Sequence, residues 1–115
     1  MSISEKVAMR VIEKIDVLFP RFTIPQEQGK MAMLVRSWAS VISRYRYPEN
    51  IWLEAVDEFF AQADSFGSPP MPGDVVRCCR LAVERAERDP ERAPALRAWR
   101  ERLQDERDAR LRGGA

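Results

Sequence analysis

The chain of 115 residues contains no histidine. Histidine is the commonest general acid and base near neutral pH, so its absence removes the usual starting point for enzyme catalysis. The chain also lacks a glycine-rich loop ending in Lys-Ser or Lys-Thr, which a P-loop nucleotide hydrolase requires. We therefore expect no catalytic residue and no bound cofactor, and we expect that the protein is not an enzyme.

Cysteine is scarce as well, since Cys78 and Cys79 are the only two. Neighbouring side chains on a helix point about 100° apart and are poorly placed to form a disulfide with each other. Two thiols without histidine do not provide the four ligands of a structural zinc site. We expect no metal site and interpret the pair as small buried hydrophobic side chains.

The sequence has no apolar run of the roughly 20 residues that a helix needs to cross a bilayer. Its first residues, Met1 to Lys6, lack the basic start and apolar segment of a signal peptide. We expect a cytoplasmic protein without a membrane partner.

The chain also has no large excess of positive or negative charge, since its net charge is only +1. Residues 1–75 hold 8 basic and 10 acidic side chains, and residues 76–115 hold 11 arginines and 8 acidic side chains. Neither part is strongly basic, so we expect only weak or indirect contact with nucleic acid.

Apolar residues instead recur at helical spacing, which predicts an all-α fold. The predicted helices span about 4–19, 25–45, 49–63, 72–88 and 95–111. Ser2 and Glu5 resemble a capping box, Thr23 is the expected cap of the second helix, and Asp74 suits the first turn of the fourth. The predicted organisation is a compact four-helix N-terminal domain, residues 1–88, followed by a charged, arginine-rich helix or flexible tail, residues 89–115.

Each predicted helix of the N-terminal domain has one apolar stripe, and together these stripes suffice for one core. The bulky core positions are expected to be Trp38, Trp52, Phe59 and Phe60. The first three stripes also include Ile3, Val7, Val11, Ile15, Leu18, Met31, Leu34, Val35, Val41, Ile42, Tyr45, Ala55, Val56 and Ala63. The stripe of the fourth helix consists of Val75, Cys78, Cys79, Ala82, Val83 and Ala86. Glu54, Asp57 and Glu58 lie opposite the aromatic stripe of the third helix and are interpreted as a solvated face or, alternatively, a partner-contact surface.

Leu96, Trp99 and Leu103 form a narrow stripe on the charged C-terminal helix, because three and four residues separate them. Tryptophan is enriched among binding hot spots, so Trp99 is a candidate anchor for a partner. The candidate partner-binding residues are Leu96, Trp99, Arg100, Leu103 and Arg107. Two alternatives stay open: Trp99 attaches the tail to the body, or the tails of two chains pair. Only about two heptads are present, so we expect a monomer or a weak oligomer.

The arginines of the fourth helix indicate an alternative function, because Arg77, Arg80 and Arg88 can share one face. They are interpreted as a solvated face, and nucleic-acid contact is the alternative. A helix-turn-helix reader is disfavoured because its connection is usually three or four residues. Asp74 would also repel phosphate. The alternative is therefore a small DNA-binding regulator or a packaging adaptor.

Several motifs occur in a characteristic order between about residues 7 and 88. The first helix ends in Phe19-Pro20-Arg21-Phe22, the second carries Trp38, and an aromatic-Pro break follows at Tyr45 to Pro48. The third helix has Ala55, Val56 and Phe59, and a corner at Pro69 and Pro70 leads to the fourth. In this order and spacing the chain resembles the small phage-encoded loaders and inhibitors of replicative helicases.

The resemblance implies a compact helical N-terminal domain followed by a flexible segment that engages a hexameric replicative helicase. It further implies that the protein has no ATP chemistry of its own and holds the helicase inactive until delivery to an origin-bound replisome organiser. Pro72 and Gly73 differ from the family, which more often has a small capping residue here. The tail after Pro90 has no motif that matches residue by residue.

Overall fold

The computed structural model describes residues 1–19, 24–62 and 68–113. Within these ranges the chain is all-helical and contains no strand, as the sequence predicts. The helices are α1 (Ile3–Leu18), α2 (Gln28–Tyr45), α3 (Glu49–Ala61), α4 (Pro72–Arg88) and α5 (Ala93–Gly113). The expected cap Thr23 and the expected core residue Ala63 lie outside the described residues.

α1 begins with the predicted capping box. The Ser2 hydroxyl accepts from the Glu5 amide at 3.1 Å, and the Ser2 amide donates to the Glu5 carboxylate at 3.5 Å. The helix packs against α2 and α3 and buries Val7, Ala8, Val11, Ile12 and Ile15. The terminal stripe positions were predicted wrongly, since Ile3 is 82% and Leu18 41% exposed. Both lie in end turns, whereas burial is concentrated in the central turns.

α2 begins three residues later than predicted. The Gln26 side chain donates to the Ile24 carbonyl at 3.4 Å, which forms a local turn where the first helical turn was expected. The N-cap is Glu27, whose side chain makes no capping hydrogen bond. The helix buries Val35, Trp38, Ala39 and Ile42, while Met31, Leu34 and Val41 are half-buried and Tyr45 is exposed.

α3 supplies the largest fully buried side chain, Trp52, whose indole N–H donates to the Tyr47 carbonyl at 3.1 Å. Ile51, Ala55 and Val56 are buried beside it. Phe59 and Phe60 were expected in the core but are only half-buried. They lie in the last turns of α3 and pack edge to face with ring centroids 5.3 Å apart, and the Phe60 ring centroid lies 6.2 Å from that of Phe19.

Two cations of α1 hold it to α3. Arg10 pairs with Glu49 at 2.9 Å. The Lys14 ammonium donates to the Leu53 carbonyl and to the Asp57 carboxylate, both at 2.8 Å. Asp57 is therefore part of a contact between helices, which the interpretation of a solvated face did not include.

α4 follows the corner, in which Pro70 is fully buried. The Asp74 carboxylate accepts from the Met71 amide at 2.8 Å and pairs with Arg77. The predicted stripe of α4 is confirmed, because all six of its members are buried: Val75, Cys78, Cys79, Ala82, Val83 and Ala86.

The chain divides into two compact units, which we call the N-terminal unit (Met1–Ala82) and the C-terminal unit (Val83–Ala115). This boundary lies inside α4, six residues before the predicted one at residue 88. Across the described residues, no helix combines the length and apolarity required to span a membrane.

In the C-terminal unit a tight turn joins α4 to α5. The Asp89 side chain accepts from the Glu91 amide at 2.9 Å, and the Asp89 carbonyl accepts from the Arg92 and Ala93 amides at 3.0 and 2.9 Å. Such a side-chain bond two residues ahead is an Asx-turn, which explains the predicted break at this point. An ion pair between Glu87 and Arg100 joins the two helices.

Candidate interaction surfaces

The five predicted partner-binding residues differ in exposure along α5. Leu96 is buried, with only 5% of its surface exposed. Trp99 and Leu103 are half-buried, and Arg107 is exposed. Arg100 is exposed but already paired with Glu87. The accessible part of the set is therefore Trp99, Leu103 and Arg107, which lie four residues apart on one face.

Ion pairs within the chain engage Arg77, one of the arginines on which the nucleic-acid alternative depends, and also Arg100 of α5. Arg77 pairs with Asp74 in the N-terminal unit, and Arg100 pairs with Glu87 in the C-terminal unit. Each pair partly neutralises a charge that a phosphate would otherwise attract. The arginine faces are therefore less cationic than the sequence alone indicates.

A groove of about 730 Å³ lies between α1 and α2 in the N-terminal unit, and we call it the methionine groove. Its apolar walls come from Met1, Met9, Ile24, Met31 and Val35. Methionine side chains are flexible and polarisable, so such a wall adapts to differently shaped apolar groups. This surface was not predicted from the sequence, which placed Met31 in the core and left Met9 unassigned.

Two charged residues, Glu5 and Arg36, line the methionine groove. The Glu5 carboxylate is held in the capping box at the positive end of α1, which offsets its charge. The Arg36 guanidinium donates to the Ala32 carbonyl of its own helix at 3.3 Å, and no carboxylate of the described residues pairs with it. Arg36 is therefore the less compensated of the two charges.

A smaller depression of about 340 Å³ lies on the other flank of α1. Its wall combines the apolar Ile3, Val7 and Ile42 with Ser4, Ser43, Arg46 and Tyr47. Burial raises the pKa of the Tyr47 phenol, and the nearby Cys79 raises it further. A phenol with a raised pKa stays protonated and therefore acts here as a neutral hydrogen-bonding group.

The two cysteines are free and buried, as expected. Burial raises the pKa of the Cys79 thiol to about 12, with a smaller contribution from Cys78. Burial also raises the pKa of Cys78, whose sulfur lies 3.7 Å from the Gln62 side-chain nitrogen that donates to it. The reactive species of cysteine is the thiolate, so both thiols are unreactive at neutral pH.

Comparisons with protein-family models, with curated proteins and with solved structures find no match to this chain. In the described ranges 1–19, 24–62 and 68–113, no group of three or more cysteine, aspartate and glutamate side chains is arranged to hold a metal ion. The interaction surfaces are therefore characterised by their own geometry: a charged helix with a partly exposed tryptophan, and the methionine groove.

Proposed function

We propose that the protein is a non-catalytic adaptor that binds a hexameric replicative DNA helicase and controls its loading or activity in phage DNA replication. In this proposal residues 1–88 are a compact four-helix body and residues 89–115 are the arm that contacts the helicase. An origin-bound replisome organiser is the second partner, and the setting is the cytoplasm of the infected cell.

The residues on which the resemblance depends support this proposal because they are buried within the helical body. Trp38 is 4% exposed, and Ala55 and Val56 are fully buried. Pro70 in the corner is also fully buried. Buried positions specify how helices pack rather than what they bind. These motifs therefore support a helical body like the one that the resemblance implies. The contact surface requires a separate argument.

The observation that carries the proposal is Trp99, a half-buried tryptophan on the highly charged helix α5. Ordering this large, rigid side chain on a partner costs little conformational entropy, and its burial removes a large apolar area from water. Leu103 extends the apolar strip, and Arg107 adds an exposed cation beside it. The alternative that Trp99 attaches the tail to the body predicts a different outcome for its removal.

The direct test mixes the chain with the host replicative helicase and measures complex mass by light scattering and ATP turnover in parallel. We expect a complex at micromolar concentration and altered turnover. Leu103→Asp should weaken binding at least about tenfold, since it places a carboxylate in the apolar strip. Ala109→Asp is the control, because Ala109 lies on the same helix and is exposed, but it does not share the face of Trp99, Leu103 and Arg107.

Absence of a complex together with unchanged ATP turnover would refute the proposal. Trp99→Ala separates the two roles of the tryptophan: loss of helicase binding with an unchanged circular dichroism spectrum supports the anchor. Loss of helical signal with retained binding supports the packing role. Duplex DNA binding that falls steeply with salt would instead support the regulator or packaging adaptor, because phosphate contacts release counterions.

A further inference from the structure

We propose that the methionine groove is a second docking site, which binds an amphipathic helix of a partner protein through an apolar face flanked by a carboxylate. The site belongs to the N-terminal unit and is separate from the α5 surface on which the adaptor proposal depends. It therefore goes beyond that proposal, and the two fail independently.

The shape of the groove favours a helix as occupant. Its walls run along α1 and α2, and the α2 wall extends from Gln28 to Arg36. Eight residues of helix rise about 12 Å, close to the two turns that separate apolar anchors at i, i+4 and i+7 of a bound helix. The groove volume of about 730 Å³ accommodates several large side chains.

The lining favours a variable apolar face rather than one fixed shape. Met9 of α1 and Met31 of α2 both line the groove, and both are half-buried. Their unbranched side chains can repack around leucine, isoleucine or phenylalanine anchors, as methionine-rich surfaces commonly do. Ile24 and Val35 supply the less adaptable part of the wall.

The charges at the groove favour a carboxylate on the ligand. Arg36 is exposed and has no carboxylate partner among the described residues. The N-cap of α2 is Glu27, whose carboxylate makes no capping hydrogen bond and pairs with Lys30 at 3.7 Å. Lys30 offsets the charge of Glu27, and the capping box and the α1 terminus offset that of Glu5, which leaves Arg36 as the least compensated charge at the groove.

A designed peptide of 16 residues, with leucines at i, i+4 and i+7 and glutamates on both flanks, provides the probe. Its charge-reversed twin carries lysines in place of the glutamates. The full chain is labelled with ¹³C at its methionine methyl groups, and each peptide is titrated by NMR. We expect saturable shifts of the Met9 and Met31 signals, with Met33 and Met71 unchanged, and binding of the lysine twin about fivefold weaker.

Two substitutions test the assignment. Met31→Lys should weaken the glutamate peptide at least about tenfold, whereas Met33→Lys, two residues away and 64% exposed, should stay within about twofold. Arg36→Glu should remove or reverse the preference between the two peptides. Arg36 is exposed, so this variant remains informative if Met31→Lys lowers the melting temperature.

The proposal is overturned if no methyl shift occurs at about 1 mM peptide, the weak limit for a specific site, or if both peptides bind equally. Shifts that follow protein concentration alone would also overturn it and assign the groove to a second copy. Binding of laurate with no binding of peptide would overturn it and assign the groove to a lipid.

Discussion

Each of the two units is stabilised by internal contacts, and these contacts differ in their separation along the sequence. In the N-terminal unit, Lys14 contacts Leu53 and Asp57 across 39 and 43 residues. In the C-terminal unit the ion pair between Glu87 and Arg100 joins residues only 13 positions apart, across the turn between α4 and α5. Of the buried hydrophobic residues in the described chain, only Val83, Ala86 and Leu96 belong to the C-terminal unit. The N-terminal unit therefore depends on a shared core, and the C-terminal unit on local contacts.

Removing one tryptophan from each unit gives the sharpest test of this contrast. Trp52→Ala should lower the free energy of unfolding by about 3–5 kcal/mol, because Trp52 is fully buried and its indole donates to the Tyr47 carbonyl. Trp99→Ala should cost about 1 kcal/mol or less, since Trp99 is only half-buried. Urea denaturation followed by circular dichroism measures both. Equal losses would contradict the contrast.

Alkaline pH should destabilise the N-terminal unit through Cys79. Burial raises its pKa from the ordinary thiol value of 9.0 to about 12, so the folded state retains the proton more tightly than the unfolded chain. Stability is then unaffected below pH 9 and falls as the pH rises from 9 towards 12, by about 1.4 kcal/mol per pH unit.

Urea denaturation between pH 8 and 11 measures this slope. Cys79→Ala should reduce the slope, with a remainder from the raised pKa values of Cys78 and Tyr47, whereas an exposed substitution such as Leu111→Ala should leave it unchanged. A slope that is the same with and without Cys79 would show that other groups account for the alkaline loss.

The ion pairs between α1 and α3 should differ in value. Lys14→Met should cost about 1 kcal/mol, because Lys14 is only 29% exposed and also donates to a backbone carbonyl. Arg10→Met should cost about 0.3 kcal/mol, since its pair with Glu49 is more exposed, at 64% and 36%. Thermal unfolding at low and high salt measures both. A larger loss for Arg10 would contradict this order.

An effect of similar size is expected at the end of α2. Arg46 has a left-handed backbone with φ of 55°, which is strained for a residue with a Cβ atom. Arg46→Gly should therefore be more stable than Arg46→Ala by about 1 kcal/mol, since both lose the same side-chain contacts. Comparing the two variants by urea denaturation isolates the backbone term. Equal stability would show that this backbone is not strained.

The sequence predicts the local features of the fold well. The stripe of α4 and the capping box of α1 follow from spacing alone, because a helix of 3.6 residues per turn determines which neighbours share a face. The last turns of a helix are harder, since their burial depends on whether another element reaches them. For that reason Ile3, Phe59 and Phe60 were placed in the core although they are exposed or half-buried.

The interaction surfaces were less predictable. Leu96, Leu103 and Leu111 look alike in the sequence, yet their exposure rises from buried through half-buried to 74% along α5. The methionine groove joins Met9 to Met31, which are 22 residues apart. No periodic pattern reports such a juxtaposition, because it depends on how α1 packs against α2 rather than on either helix alone.

The distribution of the three tryptophans has a practical consequence for spectroscopy. Trp38 and Trp52 are buried in the N-terminal unit, whereas Trp99 is the single indole of the C-terminal unit and is in partial contact with water. Fluorescence should therefore consist of a blue-shifted component that acrylamide quenches slowly and a red-shifted component that it quenches quickly. Each unit thus has its own intrinsic fluorescence signal, without any added dye.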